Sequence, residues 1–392
     1  MRAVLALAVL ALGCASGELD RTRFSSDAGV GDGSIAQALE NEAALARRRD
    51  AIDPEDAERY ARRLAPMLVR RSLRESEIEQ LERGGTALAP VIDAWLGEPG
   101  LERAARDMIS TLLGTSGWRD GIDLNLPGNL AAYLARANAP WSGILTTDHC
   151  VDVSGAAIAC DTGAPYAAGV ITTRAFLAGN NSRYNLRRAR TLMRRFVCVD
   201  YPISDEMQPR LERELLIPMF RATSAEDQTE DAARAGFGNG LACYTCHGQF
   251  GAHAQLFVRY DRDGRYRADA TGVQLAGGEL GVSDVEGLYA SHFVAPERAR
   301  DERTEMLGQE VASLPDAARV IASSAAFLPC ATRHLLAYGF DLAEPGVQTI
   351  DARTIEEIVR DAGPDPSLRA LARAAFLHPD VIRAAIVTPE AR

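Results

Sequence analysis

The sequence predicts a mainly α-helical protein, because helix starts are frequent along it and strand signals are few. The clearest start is Asp53 followed by Pro54, a capping side chain before a first-turn proline. Apolar residues then recur at spacings of three and four, from Tyr60 to Leu68. Two further starts have the capping-box spacing of a hydroxyl residue and a glutamate three positions later: Ser72 with Glu75, and Thr354 with Glu357.

Other segments add to the helical prediction. Between Asn185 and Val199 the apolar residues mark one face and arginines cover the rest, which predicts a helix with a solvated arginine face. The periodicity of Leu368 to Ile386 predicts helix throughout, and we expect a helix from Arg303 to Val311. Phe257 to Tyr266 alternates loosely and predicts a small hairpin or loop. Its Asp-x-Asp-Gly lacks the later ligands of a calcium loop and predicts a turn.

Composition narrows the class of protein. A chain of 392 residues allows two or three domains, and 47% hydrophobic with 25% charged residues is typical of a soluble globular protein. The net charge of −11 argues against nucleic acid as a partner. All 43 basic residues are arginine, which excludes chemistry that needs a phosphate-binding or Schiff-base lysine.

The N-terminus predicts an export signal. Arg2 precedes an apolar run from Ala3 to Leu12, about half the length that crosses a bilayer, and Gly13 and Cys14 follow. We therefore expect residues 1–14 to be a lipoprotein signal, with Cys14 becoming the lipid-bearing first residue on the periplasmic side of the envelope. Ala15 after it favours the outer membrane. Residues 15–34 form a flexible tether. The alternative is ordinary secretion, with Cys14 discarded or unused.

Export places the cysteines in an oxidising compartment. Four of them have no other predicted role. Cys150 and Cys160 enclose a short polar loop and can reach each other at little cost, which leaves Cys198 to pair with Cys330. The alternative is four buried thiols, because pairing cannot be derived from sequence alone.

The segment Cys243-Tyr244-Thr245-Cys246-His247 has the spacing of a c-type haem attachment motif. One turn of chain presents both thiols to the two vinyl groups of a porphyrin, and the adjoining imidazole ligates the iron. We expect one covalent haem c, held by Cys243 and Cys246 with His247 on the iron. The alternatives are zinc bound by these three residues with His253, and a redox dithiol.

The second axial ligand of the iron is less well marked. A methionine well downstream of the motif is common in small c-type cytochromes, and Met306 fits that arrangement, although a core methionine fits equally well. The histidines that could replace it are His253, His292 and His334. Met219, upstream, is a poor choice.

From about Arg70 onward the chain resembles the planctomycete-type cytochrome c families. The matching segments are Arg71-Ser72-Leu73, Ala168 to Thr173, Arg195-Phe196-Val197-Cys198, Tyr260-Asp261, Gly264 to Arg267, and Ala326-Phe327 with Cys330. Between His247 and Asp261 the chain departs from the family pattern. The resemblance implies several helical domains together with one c-type haem segment.

These observations predict a helical N-terminal body of unknown function (35–225), a c-type cytochrome-like helical domain (226–342) and a C-terminal helical element (343–392). The internal boundary is expected in the acidic cluster Thr223 to Asp231. The leading functional prediction is a lipid-anchored electron carrier that serves an unknown redox partner in the cell envelope. The alternatives are a peroxidase-like haem oxidoreductase and an envelope binding module with structural haem.

Overall fold

A computed structural model describes residues 32–180, 184–201, 253–261, 263–268, 302–340 and 350–387. Most of these residues are helical, so the mainly α class is confirmed. By contacts the chain forms two compact units, residues 1–44 and 45–392. The described part of the first unit belongs to one helix. The expected boundary at Thr223 to Asp231 lies outside the described residues, so the division of residues 35–392 into three parts stays a prediction.

Helices account for most of the described chain. In chain order they are α1 (Asp32–Asp50), α2 (Pro54–Leu68), α3 (Glu75–Leu81), α4 (Leu88–Leu96), α5 (Gly100–Leu113), α6 (Leu126–Ala137), α7 (Gly143–Thr146), α8 (Arg174–Gly179), α9 (Tyr184–Phe196), α10 (Leu314–Ala322), α11 (Phe327–Gly339), α12 (Ala352–Ala362), α13 (Leu368–Phe376) and α14 (Pro379–Val387). Short 3₁₀ helices cover Gly84–Ala87 and Gln255–Phe257.

The described strands form three short antiparallel pairs. They are β1 (Trp118–Arg119) with β2 (Ile122–Asp123), β3 (Cys150–Val151) with β4 (Ala157–Ile158), and β5 (Thr304–Met306) with β6 (Gln309–Val311). Pairs this short cannot stand alone in water, so each depends on the helices that it contacts.

Helix α2 lies at the centre of the helical packing. It contacts α3, α4, α5, α11 and α14, and its residues Tyr60 and Leu64 are fully buried. The Tyr60 hydroxyl donates to the carbonyl of Phe376 at 2.8 Å, which satisfies its one polar atom in the core. The start of α2 is the predicted one: Asp53 Oδ1 accepts from the amide of Asp56 at 2.8 Å. The N-terminal and C-terminal parts of the unit therefore share one core.

Two predicted helix starts are wrong by two or three residues. Helix α3 begins at Glu75, not at Ser72, because the carboxylate of Glu77 accepts from the amide of Arg74 at 2.7 Å and so fixes the start there. Helix α12 is capped by Asp351, whose carboxylate accepts from the amide of Thr354 at 2.7 Å. In both cases a carboxylate accepts from a backbone amide at the start of the helix, that of the N-cap residue in α3 and that of a first-turn residue in α12.

Three other predictions about helices also fail. The periodic stretch Leu368 to Ile386 is two helices, since α13 ends at Phe376 and α14 begins at Pro379. Residues 303–311 form the β5–β6 hairpin instead of a helix. Arg188, predicted on a solvated face, is fully buried, because three backbone carbonyls surround its guanidinium.

Candidate functional site

The predicted haem attachment motif, Cys243 to His247, lies outside the described residues, and so do Cys14, Met219 and His292. The structure does describe the residues on either side of the segment that carries the motif, namely Tyr201 before it and His253 after it. Besides His253, it describes two further candidates for the second axial ligand, Met306 and His334. These residues make up the described part of the candidate haem site.

Tyr201 and His253 lie against each other in the core. His253 is fully buried, the Tyr201 hydroxyl forms a hydrogen bond with its Nδ1, and the two ring centroids are 5.6 Å apart. The two flanks of residues 202–252 thus meet at one buried point of the helical unit. A neighbour that holds one ring nitrogen is the usual way in which proteins orient a metal-binding imidazole. His253 is held by Tyr201 in this way, so it remains a candidate ligand of the iron.

Met306 is fully buried at the end of β5. The turn that follows explains why a strand forms at this point: Leu307 and Gly308 have φ values of 50° and 81°, and a two-residue hairpin loop with positive φ at both positions matches the twist of the strands. Met306 pairs with Gln309 across the hairpin, which packs on α10. Its burial fits a core methionine, and its role as an iron ligand stays a prediction.

His334 lies in a different environment from the other candidates. It is buried in α11, and its Nε2 is 3.1 Å from the carbonyl oxygen of Arg195, 3.5 Å from Cys330 Sγ and 3.7 Å from Cys198 Sγ. Burial lowers the pKa of this imidazole to about 4, and the charges of Arg195 and Arg333 act in the same direction. At neutral pH the ring is uncharged, and its Nε2–H donates to the Arg195 carbonyl oxygen beside the two sulfur atoms.

The structure joins the four remaining cysteines as the sequence predicts. Cys150 is bonded to Cys160, with 5.0 Å between their Cα atoms, and this bond closes the β3–β4 hairpin. Cys198 is bonded to Cys330 with a Cα separation of 5.3 Å, which ties the end of α9 to α11. The contact of His334 with the second pair is not among the sequence predictions. The spacing of Cys330 and His334, four residues apart on one helix, was the available signal.

The turn predicted at Asp261 is also present. Asp261 Oδ1 accepts from the amides of Asp263 and Arg265, at 3.0 and 2.8 Å, and Oδ2 accepts from Arg267 Nε at 3.1 Å. These bonds use the carboxylate for the turn, as an Asx turn does. Gly264 has a φ of 77°, and a Cβ there would lie 2.8 Å from the Cβ of Leu177, so only glycine fits.

Beside this turn is a cluster of three tyrosines that sequence reasoning missed, in which Tyr260 is buried and Tyr166 and Tyr266 are half-buried. The Tyr166 hydroxyl donates to the carboxylate of Glu302, at 2.7 and 2.8 Å from its two oxygens. The ring of Tyr266 packs edge-on against those of Tyr166 and Tyr260, with centroids 5.9 and 5.7 Å apart. Burial raises the pKa of Tyr166 and Tyr260 far above the ordinary range. Both phenols therefore stay protonated at neutral pH, and the Tyr166 phenol serves as the hydrogen-bond donor to Glu302.

Within the described residues no single helix has the length and apolar character to cross a membrane, although the bent pair α10 and α11 meets that test jointly. Comparisons of the chain with protein-family models, with curated proteins and with solved structures give no match.

Proposed function

We propose that this protein is an exported, lipid-anchored c-type cytochrome with one covalent haem, acting as an electron carrier in the cell envelope. The observation that carries the proposal is the run Cys243-Tyr244-Thr245-Cys246-His247. Two cysteines separated by two residues, with histidine directly after, supply the two thioether donors and the imidazole that haem c requires. The chemistry of this donor set fits the cofactor.

Cys243 and Cys246 would hold the porphyrin through its vinyl groups, and His247 would ligate the iron. When bound, the haem supplies one-electron transfer through its iron, at a potential set by the second axial ligand and by burial. For that second position the chain offers Met306, His253 and His334 among the described residues, and all three are buried.

The Tyr201–His253 contact supports a link between the motif and the helical unit. His253 lies six positions after His247, and six residues of extended chain span no more than about 22 Å. His253 is itself fixed in the core. Any haem on His247 is thereby kept within a short reach of the buried residues around Tyr201.

The disulfides support the predicted compartment. Structural disulfides persist in exported proteins and are rare in the reducing cytosol, and the described chain contains two such bonds. Haem c is attached on the same side of the membrane as these bonds form. Lipid on Cys14, with residues 15–34 as a tether, would hold the protein at the outer membrane.

Covalent haem attachment can be tested by expressing the protein in a host that attaches haem c. Denatured wild-type protein should keep its haem through gel electrophoresis, and Cys243→Ala/Cys246→Ala should lose it. The matched control is Cys150→Ala/Cys160→Ala, which removes another close pair of cysteines and should keep the haem. Colourless wild-type protein that contains zinc would refute the proposal and favour the zinc alternative.

The second axial ligand and the reaction class can be read from spectra of the same protein. Met306→Leu should abolish the weak long-wavelength band of methionine bonded to ferric iron, and His253→Phe should leave that band in place. A wild type without the band would favour histidine or an open position. Iron that binds peroxide or carbon monoxide in the wild type would point to a peroxidase-like oxidoreductase instead of an electron carrier.

The lipid anchor has its own test. Cys14→Ser should move the protein from the membrane fraction to the soluble fraction and remove the mass of the lipid. Membrane fractionation that does not change, without any mass difference, would leave ordinary secretion as the explanation.

A further inference from the structure

Three side chains that bind soft metals meet at the junction of α9 and α11. Cys198 follows the end of α9, and Cys330 and His334 lie one turn apart on α11. Their ligand atoms are all within 4.8 Å of one another, Cys330 and His334 are buried, and Cys198 is half-buried. None of the three belongs to the predicted haem motif.

A fourth donor completes the group. The carbonyl oxygen of Arg195 is 3.1 Å from His334 Nε2 and 3.7 Å from Cys330 Sγ. It belongs to the last turn of α9, where carbonyl groups lack partners within the helix and where the helix dipole favours positive charge. The donors are then two sulfurs, one imidazole nitrogen and one oxygen.

The distances match those of a tetrahedral zinc site. With Zn–S bonds of about 2.3 Å and Zn–N or Zn–O bonds of about 2.0–2.2 Å, tetrahedral angles separate sulfur from nitrogen or oxygen by about 3.6 Å and nitrogen from oxygen by about 3.3 Å. The measured separations are 3.5 and 3.7 Å for the two sulfur–nitrogen pairs, 3.7 Å for sulfur to oxygen and 3.1 Å for nitrogen to oxygen. Four of the six donor–donor distances of a tetrahedral zinc site are therefore already close to the values that zinc requires.

The covalent bond between Cys198 and Cys330 is what blocks a metal at this position. We propose that reduction of this disulfide converts the cluster into a binding site for a zinc-class divalent cation, with Cys198, Cys330, His334 and the Arg195 carbonyl as ligands. The site goes beyond the proposed electron-carrier function and does not depend on it. It makes this end of α11 a redox-controlled metal site.

A dithiol reductant can carry out the chemical step. One of its thiolates attacks Sγ of the half-buried Cys198, the sulfur–sulfur bond breaks, and its electron pair leaves with Cys330 Sγ beside His334. The second thiol of the reductant then displaces Cys198, so that the reductant is oxidised to a disulfide and two protons pass to the cysteines. Zinc binding releases those two protons, and the imidazole proton moves from Nε2 to Nδ1.

The surroundings both favour and oppose the cation. Arg195 and Arg333 place positive charge near His334, which disfavours a cation there. Two thiolates offset the charge of a divalent ion, and the buried imidazole of His334 lies 3.5 and 3.7 Å from the two sulfur atoms that would share the ion with it. Cys198 has a left-handed backbone conformation with φ of 56°, costly for a residue other than glycine, which indicates that its surroundings hold it in place.

The experiment measures zinc bound to the full-length protein. Wild-type protein is reduced with a phosphine, which does not compete as a thiol ligand, then equilibrated with zinc, desalted and assayed for zinc per chain. Oxidised wild type is treated in parallel. Cys198→Ser/Cys330→Ser tests the site, and Cys150→Ser/Cys160→Ser is the matched control that keeps it. His334→Ala retains the disulfide, so it tests the third ligand even if the double variant does not fold.

We expect reduced wild type to bind one zinc per chain more than the oxidised protein, and the Cys150/Cys160 control to show the same increment. The increment should vanish in Cys198→Ser/Cys330→Ser. His334→Ala should weaken it by more than about 100-fold, the upper end of what loss of an outer-shell partner costs. The proposal is overturned if reduction adds no zinc, if the increment survives in the Cys198/Cys330 variant, or if His334→Ala binds equally tightly. An increment seen only when circular dichroism shows the reduced chain unfolded also overturns it.

Discussion

The two disulfides join very different parts of the chain. Cys150 and Cys160 are ten residues apart and close a hairpin whose connecting residues are largely exposed. Cys198 and Cys330 are 132 residues apart, and their bond lies between two packed helices, with Cys330 buried. The first bond links residues that are already close in the sequence. The second bond links parts of the chain that only folding brings together.

The same contrast recurs among the other polar contacts. The Asp53 cap acts within one turn of α2, whereas the guanidinium of Arg188 donates to the carbonyl of Leu177 at 3.0 Å and to those of Tyr260 and Asp261 at 3.0 and 2.6 Å. A contact within one turn replaces water at little entropic cost. A contact between distant segments fixes their relative position, and its loss exposes several buried groups at once. Long-range contacts should therefore dominate stability.

The disulfides give the largest expected effect. On the chain-entropy model, removing the longer-range bond with Cys198→Ala/Cys330→Ala should lower the free energy of unfolding by about 5 kcal/mol, and Cys150→Ala/Cys160→Ala should lower it by about 3 kcal/mol. Denaturant unfolding of the non-reduced proteins measures both. Equal losses, or a larger loss for the hairpin bond, would show that long-range contacts do not contribute more to stability than local ones.

Arg188 tests whether long-range hydrogen bonds behave like the long-range disulfide. Arg188→Met leaves three buried carbonyls without this donor and should cost about 3 kcal/mol in free energy of unfolding. The neighbouring Arg187 is exposed, and Arg187→Met should stay within about 0.5 kcal/mol of wild type. A chemical denaturation series on the two variants decides this, and similar losses would mean that burial of the guanidinium is not what matters.

The contacts of Glu77 are intermediate in sequence separation between the local cap at Asp53 and the long-range hydrogen bonds of Arg188. Its carboxylate accepts from Arg71 at 2.6 and 2.8 Å and from the Trp95 indole at 2.8 Å, and the hydrogen bonds from Arg71 are the main cause that lowers its pKa to about 2 from the ordinary 4.5. A lowered folded-state pKa contributes stability above pH 4.5 that is lost as the pH falls towards 2. Glu77→Gln should therefore cost about 2 kcal/mol at pH 7 and progressively less below pH 4.5.

Unfolding of the wild type and of Glu77→Gln at pH 7 and at pH 3 measures this difference. Glu75→Gln, an exposed neighbour on the same helix, is the control and should show no such convergence. A cost for Glu77→Gln that stays constant down to pH 2 would show that packing, not charge, is responsible.

The helix cap should give the smallest effect. Asp53→Ala removes the acceptor for the Asp56 amide and should cost about 1 kcal/mol, while Asp53→Asn keeps a capping oxygen and should cost only a few tenths. Thermal unfolding resolves the two. A loss from Asp53→Ala as large as that from Arg188→Met would mean that local contacts carry as much stability as long-range ones.

Some features of this protein follow from its sequence because their causes are local. The start of α2 is one, since the capping aspartate and the amide that it receives are three residues apart. The Asp261 turn is another, because its carboxylate bonds amides two and four residues ahead. The pairing of Cys150 with Cys160 also needs only a short loop. The predicted haem attachment motif is local in the same sense, since the prediction rests on five consecutive residues.

Tertiary packing decided what spacing alone could not. Arg188 is buried because the carbonyls of a segment 72 residues away surround it. Residues 304–306 and 309–311 are strands because the Leu307-Gly308 turn and the contact with α10 outweigh a helical preference. The neighbourhood of His334 depends on α9 and α11 meeting, which no periodicity within either helix encodes. Local hydrogen bonding can be read from neighbouring residues. Which distant groups share a desolvated core is settled only when the whole chain packs.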